Sequence, residues 1–206
     1  MDISGIMPPK SPTLLLTGAS GLLGSVLLSG LSDAYHVIGV ARTRPRDDLR
    51  SCDLSNQESV NSLLENTDPD IIIHTAAMTN VDACENSPNL AFQSNVEMTK
   101  FLANWVNTNS PATRFLYIST DQVYDGAGPH SEHALRPSNV YALTKLWAEE
   151  YVRVLPNNVI LRTNFFGQFV GNSSDLISVL RNRAIAGDPV TLFTDVLFSP
   201  LHVDHL

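Results

Sequence analysis

Hydrophobic and polar positions follow two rhythms along this chain. Brief apolar runs rich in β-branched residues occur at Thr13 to Thr17, His36 to Ala41, Asp70 to Thr75, Arg114 to Ser119 and Asn158 to Arg162, and they predict short buried strands. Between them, segments of helical period predict helices over Leu22 to Leu31, Gln57 to Glu65, Asn89 to Asn107 and Asn139 to Val154. Strand and helix alternate without a repeat or low-complexity tract, which predicts the α/β class: a doubly wound parallel sheet covered on both faces. Ser55, with Glu58 three residues on, has the form of a capping box and predicts where the second helix starts. Asp125 to Arg136 is a polar loop with Gly and Pro. Later in the chain "SSDLISVLRNRAIAG" reads as helical and "PVTLF" as a strand.

Composition narrows the class. A chain of 206 residues, 43% hydrophobic, can bury a substantial core as one domain with a small appendage. Thirteen Lys and Arg stand against 21 Asp and Glu, a formal charge of -8, and no three basic residues are consecutive. Nucleic acid is not an expected partner, because phosphate-backbone binding needs clustered cations. Cys52 and Cys84 form no metal or disulfide pattern and read as reduced thiols of a cytoplasmic protein; no metal is expected. Residues 1–12 lack the charged and apolar regions of a secretory signal and are expected to be a flexible lead-in. No apolar run reaches the roughly 18 residues of a membrane span, so no membrane is expected either.

"LLLTGASGLLGS", Leu14 to Ser25, sits between a predicted strand and a predicted helix. In that context Gly18 permits a tight exit from the strand, Gly21 lets backbone approach a pyrophosphate, and Gly24 lets the helix pack close to the sheet. Free amides at the helix start then face the anion. The spacing is GxxGxxG rather than GxGxxG, so it serves either a dinucleotide or a plain turn.

A second constellation bears on that choice. Tyr141 and Lys145 lie four residues apart, one above the other on one helix face, with Pro137 and Ser138 before the helix. Such a pair is either a solvated helix face or an acid-base device. Thr120, at the carboxyl end of a predicted strand where open α/β folds place ligands, favours the second. A tyrosine has a pKa of about 10, and an adjacent cation lowers it by about 1 to 3 units. Lys145 is expected to act in that way, with Tyr141 giving a proton to a carbonyl oxygen and Thr120 polarising the same oxygen.

"TGASGLLG", "CDL", "HTAAMTNVDACENSP", "QSNV", "YISTDQVYDG", "PSNVYALTKLWAEE", "LRTNFFG" and "FSPLHVDHL" occur in the order and spacing of the extended short-chain dehydrogenase/reductases. From about Thr13 to its end the chain resembles their dTDP-4-dehydrorhamnose reductase branch, on the strength of "NVDACE" and "STDQVYDG". The resemblance implies a Rossmann-type domain over 13–171 and a partial substrate lobe over 172–206. It implies dinucleotide contacts at Gly18, Ser20, Gly21, Leu22, Leu23 and Gly24, adenine contacts at Asp53 and Leu54, and a cofactor wall at Thr75, Ala76 and Ala77. Its Ser/Thr-Tyr-Lys positions fall on Thr120, Tyr141 and Lys145. Extended members continue well past "HVDHL", so the lobe is expected to be truncated here.

The cofactor is read from the end of the second strand. Many NAD sites carry an acidic residue about 20 residues past the glycines. "VIGVARTRPR" has none between Val37 and Arg46, and offers Arg42, Arg44 and Arg46, which either fork onto a 2′-phosphate or form a solvated loop. NADP(H) is preferred, with NAD(H) open. His74 is expected to be a buried, hydrogen-bonded histidine, and His202 with His205 to lead into a structural helix. Asn95 serves packing or a proton relay, and Asn164 touches nicotinamide or substrate or neither. The chemistry of Asp82, Cys84 and Glu85 is not legible.

Three functions follow. The first is NADPH-dependent reduction of the 4-keto group of a nucleotide-linked 6-deoxysugar. The second is a non-catalytic NADP-binding protein acting on a partner, since the regulatory β-subunit of methionine adenosyltransferase resembles the same branch; exposed Trp105 or Trp147 would favour it. The third, an epimerase or dehydratase, is disfavoured by Gln122 after Asp121, where a dehydratase wants an acidic pair. A homodimer is the other expected association.

Overall fold

A computed structural model describes residues 11–42, 47–167, 176–192 and 199–206. In chain order the regular elements are β1 (Thr13–Thr17), α1 (Leu22–Leu31), β2 (His36–Ala41), β3 (Leu49–Ser51), α2 (Gln57–Thr67), β4 (Ile71–His74), α3 (Val81–Asn86), α4 (Pro88–Phe92), α5 (Met98–Asn109), β5 (Arg114–Thr120), α6 (Val140–Arg153), β6 (Asn158–Phe166), α7 (Leu176–Ala186) and β7 (Pro200–His202). The strands form one sheet in the order β3-β2-β1-β4-β5-β6-β7, every neighbouring pair parallel. The chain therefore winds outward from β1 in one direction, then returns to β4 and winds outward in the other. A crevice opens at that reversal, beyond the carboxyl ends of β1 and β4.

Apolar side chains on both faces explain why strands such as "TLLLT" read as unbroken hydrophobic runs. Leu15, Ile38, Ile72, Phe115 and Tyr117 pack against Val60, Leu63 and Leu64 of α2, Leu102 and Val106 of α5, and Ala148 and Val152 of α6. On the opposite face Leu14, Leu16 and Ile73 meet Leu27, Leu28 and Leu31 of α1. Each such side chain contributes about 1.5–3 kcal/mol when fully buried.

All five predicted strands are present, with β4 one residue shorter at each end and β6 running on to Phe166. The edge strands β3 and β7 escape prediction because three residues are too few to show a period. The predicted helix over Asn89 to Asn107 divides into α4, a π-helical turn at Gln93–Glu97, and α5; α3 is too short to have been visible. The capping box at Ser55 and Glu58 is not formed. Asp53 Oδ1 accepts the Ser55 hydroxyl at 2.7 Å, and Asn56 caps α2 instead, its Oδ1 accepting the Ser59 amide at 2.9 Å.

Towards the end of the chain, the helical segment appears as α7, with residues 173–175 outside the described residues. Residues 189–192 have no regular structure, contrary to the expected strand, and Phe193 is not described. β7 and the 3-10 turn Val203–His205 join the main sheet, where Val203 packs with Leu23 and Ile118. The sheet thus extends past the division drawn at residue 171, and His202 caps the 3-10 turn Val203–His205. Most of the lead-in at residues 1–12 lies outside the described residues.

Candidate functional site

The turn after β1 is built from its glycines. Gly18 has φ +70°, a left-handed conformation, and a Cβ there would stand 2.6 Å from Thr75 Oγ1 and 2.7 Å from the Ala76 amide nitrogen. A Cβ on Gly24 would collide with the Gly18 carbonyl oxygen, so α1 lies against the turn only because that position is glycine. Gly21 is the N-cap of α1 and supplies no capping side chain, which leaves the amides of the first turn directed at the crevice. Backbone this close, with open amides at a helix start, suits a pyrophosphate.

The facing wall is held by polar side chains from behind. Thr75 Oγ1 donates to the Thr17 carbonyl at 2.7 Å, and the Ala76 amide donates to Thr17 Oγ1 at 3.3 Å. His74, fully buried, bridges Thr17 Oγ1 at 2.6 Å and Thr99 Oγ1 at 3.0 Å, as expected of a structural histidine. Asn95 binds both backbone groups of Met78: its Oδ1 accepts the amide at 2.7 Å and its Nδ2 donates to the carbonyl at 3.1 Å. Nδ2 also donates to Thr144 of α6 at 2.9 Å, so Asn95 ties the Met78 backbone to α6. The π-helical turn places it there.

Thr120 ends β5, and Tyr141 and Lys145 lie on the buried face of α6; all three are under 10% exposed. Asn139 caps α6 by accepting the Ala142 amide at 2.7 Å, and Glu85 Oε1 accepts the Val140 amide at 2.6 Å. Glu85, illegible in sequence, thus ties α3 to the helix start beside Tyr141. Burial pushes the Tyr141 phenol up to about 12, the Thr120 hydroxyl opposing and Cys84 and Asp121 adding to the rise. The expected fall beside Lys145 is therefore not found: a buried ring disfavours the phenolate, and Lys145 Nζ lies 4.1 Å from the centroid of the Tyr117 ring. Burial pushes the Lys145 ammonium down to about 7, with Glu149 opposing. At neutral pH the phenol keeps its proton, as a donor must.

These parts surround one cleft of about 830 Å³. Of the residues singled out in sequence, Gly18, Ser20, Gly21, Leu22, Leu23, Gly24, Arg42, Leu54, Thr75, Ala76, Ala77, Thr120, Tyr141, Lys145 and Asn164 all line it. Asp53 does not; its carboxylate turns to Ser55 and borders a separate surface depression. That hydrogen bonding holds Asp53 below the usual carboxylate range, with Arg42 adding a smaller effect. Arg44 and Arg46 lie outside the described residues. Met78, Thr79, Leu90 and Ser94 also line the cleft without having been singled out, and so does Gln122, read in the sequence only as disfavouring a dehydratase.

A model of the family described as RmlD substrate binding domain matches residues 12–206. The chain belongs to that family. This RmlD-family chain is similar to the "Probable low-salt glycan biosynthesis reductase Agl14" of Haloferax volcanii, 36% identical over 196 residues, covering 90% of this chain and 65% of that protein. It is also similar to methionine adenosyltransferase 2 subunit beta of Bos taurus, 33% identical over 149 residues, 71% of this chain and 43% of that one. Among solved structures it resembles dTDP-4-dehydrorhamnose reductase from Bacillus anthracis in complex with NADP, with a TM-score of 0.83 at 25% identity over 96% of this chain and 69% of that one. The chain spans less than two thirds of the length of the two relatives.

Proposed function

We propose that this chain carries the NADPH-dependent reduction of the 4-keto group of a nucleotide-linked 6-deoxysugar. What carries this reading is one arrangement: Thr120, Tyr141 and Lys145 line the same cleft as the glycine turn. The named reductase relatives and the NADP complex of the Bacillus anthracis enzyme support it.

In this reading the residues from Gly18 to Gly24 hold a pyrophosphate, and Arg42 meets the 2′-phosphate that distinguishes NADP(H) from NAD(H). Leu54 lies on the adenine side, while Asp53, its carboxylate engaged by Ser55, stands outside the cleft. Thr75, Ala76 and Ala77 form one wall, and Asn164 stands near the nicotinamide or the sugar. Residues 13–171 with β7 hold the cofactor; the remainder of 172–206 contributes to the substrate side. When bound, the reduced nicotinamide supplies a hydride to the carbonyl carbon. Thr120 orients the carbonyl oxygen, and Tyr141 Oη passes its proton to that oxygen, giving the hydroxyl. Lys145, as ammonium, meets the charge left on the phenolate.

The test is calorimetric titration with NADPH and NADH, then loss of NADPH fluorescence on adding a dTDP-4-keto-6-deoxysugar. Tyr141→Phe is expected to lower turnover by about a hundredfold or more with cofactor affinity kept. A full rate in that variant would overturn the donor assignment.

Trp147, 49% exposed beside Leu143 at 49%, favours a second reading: an NADP-binding subunit that serves a partner protein. The similarity to methionine adenosyltransferase 2 subunit beta points the same way. NADPH binding without turnover is the result expected from it.

A further inference from the structure

Glu149 is completely buried, yet its carboxylate gathers donors from three elements. Oε1 accepts from Ser119 Oγ at 2.6 Å and Arg162 Nε at 2.9 Å; Oε2 accepts from Arg162 Nη2 at 2.6 Å and Arg153 Nη2 at 2.8 Å. Arg162 is itself only 10% exposed at its side chain, and its remaining Nη1 donates to Tyr124 Oη at 2.8 Å and the Glu132 carbonyl at 2.6 Å. Apart from Arg153, the network borders the cleft: Ser119 lines it, Arg162 is two residues before Asn164, and Glu149 is one turn beyond Lys145 on α6. Tyr124 and Glu132 belong to the polar loop that follows Thr120.

We propose that Glu149 is the positioning residue of the site: through Arg162 and Ser119 it sets Thr120, Asn164 and the Tyr141–Lys145 pair at fixed distances and anchors the 124–132 loop beside them. A buried ion pair is no better for stability than apolar side chains of the same volume, whereas removing one partner alone strands a charge. Its distinctive property here is geometric, a bidentate fork that fixes angle as well as distance between β6 and α6. It is also electrical. The groups that act on Lys145 are Glu149 from its own helix, Tyr117 from β5 and neutral His74 from β4, so Glu149 supplies the carboxylate that favours the ammonium.

This proposal rests on the reductase reading for its catalytic consequence but not for its physical test. Hydrogen–deuterium exchange is compared in the whole chain and in Glu149→Gln, Arg162→Lys and Ser119→Ala. In Glu149→Gln, amides of residues 120–136 are expected to exchange about tenfold faster or more, while those of residues 22–24 keep their rate. NADPH affinity should hold within about threefold, and the basic limb of any pH–rate profile should move to lower pH, since the charge favouring the ammonium is gone. Arg162→Lys, which keeps the charge but breaks the fork, should speed exchange without that pH shift. If Glu149→Gln does not fold, Arg162→Lys and Ser119→Ala decide. Unchanged exchange over 120–136 in every folded variant overturns the proposal. A chain that shows no sugar turnover but the expected exchange pattern would overturn the reductase reading alone.

Discussion

His74 makes a single-site prediction that needs no knowledge of substrate. The ring has no exposure and both nitrogens are engaged. Thr99 Oγ1 donates to the Asn95 carbonyl at 2.7 Å, so its oxygen receives the Nε2 proton, and Nδ1 accepts the Thr17 hydroxyl. A second ring proton would require the Thr17 hydroxyl to turn and give up its donation to Nδ1, and burial, helped by the Lys145 charge, pushes the pKa from 6.5 down to about 3. The unfolded chain then takes up the proton first as pH falls. Stability supplied by the neutral ring is complete above pH 6.5 and is lost as pH drops towards 3.

At about 1.36 kcal/mol per unit, roughly 2.7 kcal/mol has gone two units below the unfolded pKa, and about 4–5 kcal/mol over the whole window. His74→Gln cannot titrate. It is expected to cost about 1–3 kcal/mol at neutral pH through an imperfect hydrogen-bond fit, independent of pH. Urea unfolding followed by fluorescence of Trp105 and Trp147 measures both chains from about pH 7.5 to about pH 4.5. Carboxylates common to both cancel in the difference. The wild-type advantage should shrink by about 1.4 kcal/mol per pH unit below pH 6 and reverse near pH 5. A difference that stays constant from pH 6.5 to 4.5 would refute the buried neutral histidine.

Two further predictions concern the frame of the cleft. Gly18→Ala must hold a left-handed φ and press a methyl group on Thr75 and Ala76, so a loss of about 1–2 kcal/mol from the backbone alone is expected, with NADPH affinity reduced more than tenfold. A thermal melt and a cofactor titration both matching wild type would sink that account. Asn95→Ala leaves the Met78 amide without its partner, at about 1–3 kcal/mol, while the Met78 carbonyl keeps Cys84 Sγ and the Thr144 hydroxyl keeps the Tyr141 carbonyl. A urea midpoint close to wild type would show that the clamp carries no weight.

The doubly wound sheet was legible because its central strands are buried on both faces and its helices on one. "TLLLT" and "IIIH" therefore carry period-free apolar runs, while α2, α5 and α6 carry a 3.6-residue rhythm. The glycine turn was legible for a local reason as well, since φ at Gly18 and the close approach at Gly24 admit no side chain. Spacing of four put Tyr141 and Lys145 on one helix face, and strand-end position put Thr120 near them. Glu149 continues the same spacing, but its role was not read from the sequence.

What only the tertiary structure decided was who meets whom across long separations, and what burial does to charge. Arg162 reaches Glu149 from another strand, Glu85 reaches the start of α6 from 55 residues away, and Asn95 reaches Met78 from a π-helical turn. No local pattern encodes those distances. The Tyr141 pKa rises where sequence spacing alone predicted a fall, because proximity to Lys145 is a property of one helix whereas desolvation belongs to everything packed around it. Sequence determined the sheet, the turn and the shared helix face through short-range periodicity and sterics; the protonation states and the bracing of the cleft came from the low-dielectric surroundings that form only when the whole chain folds.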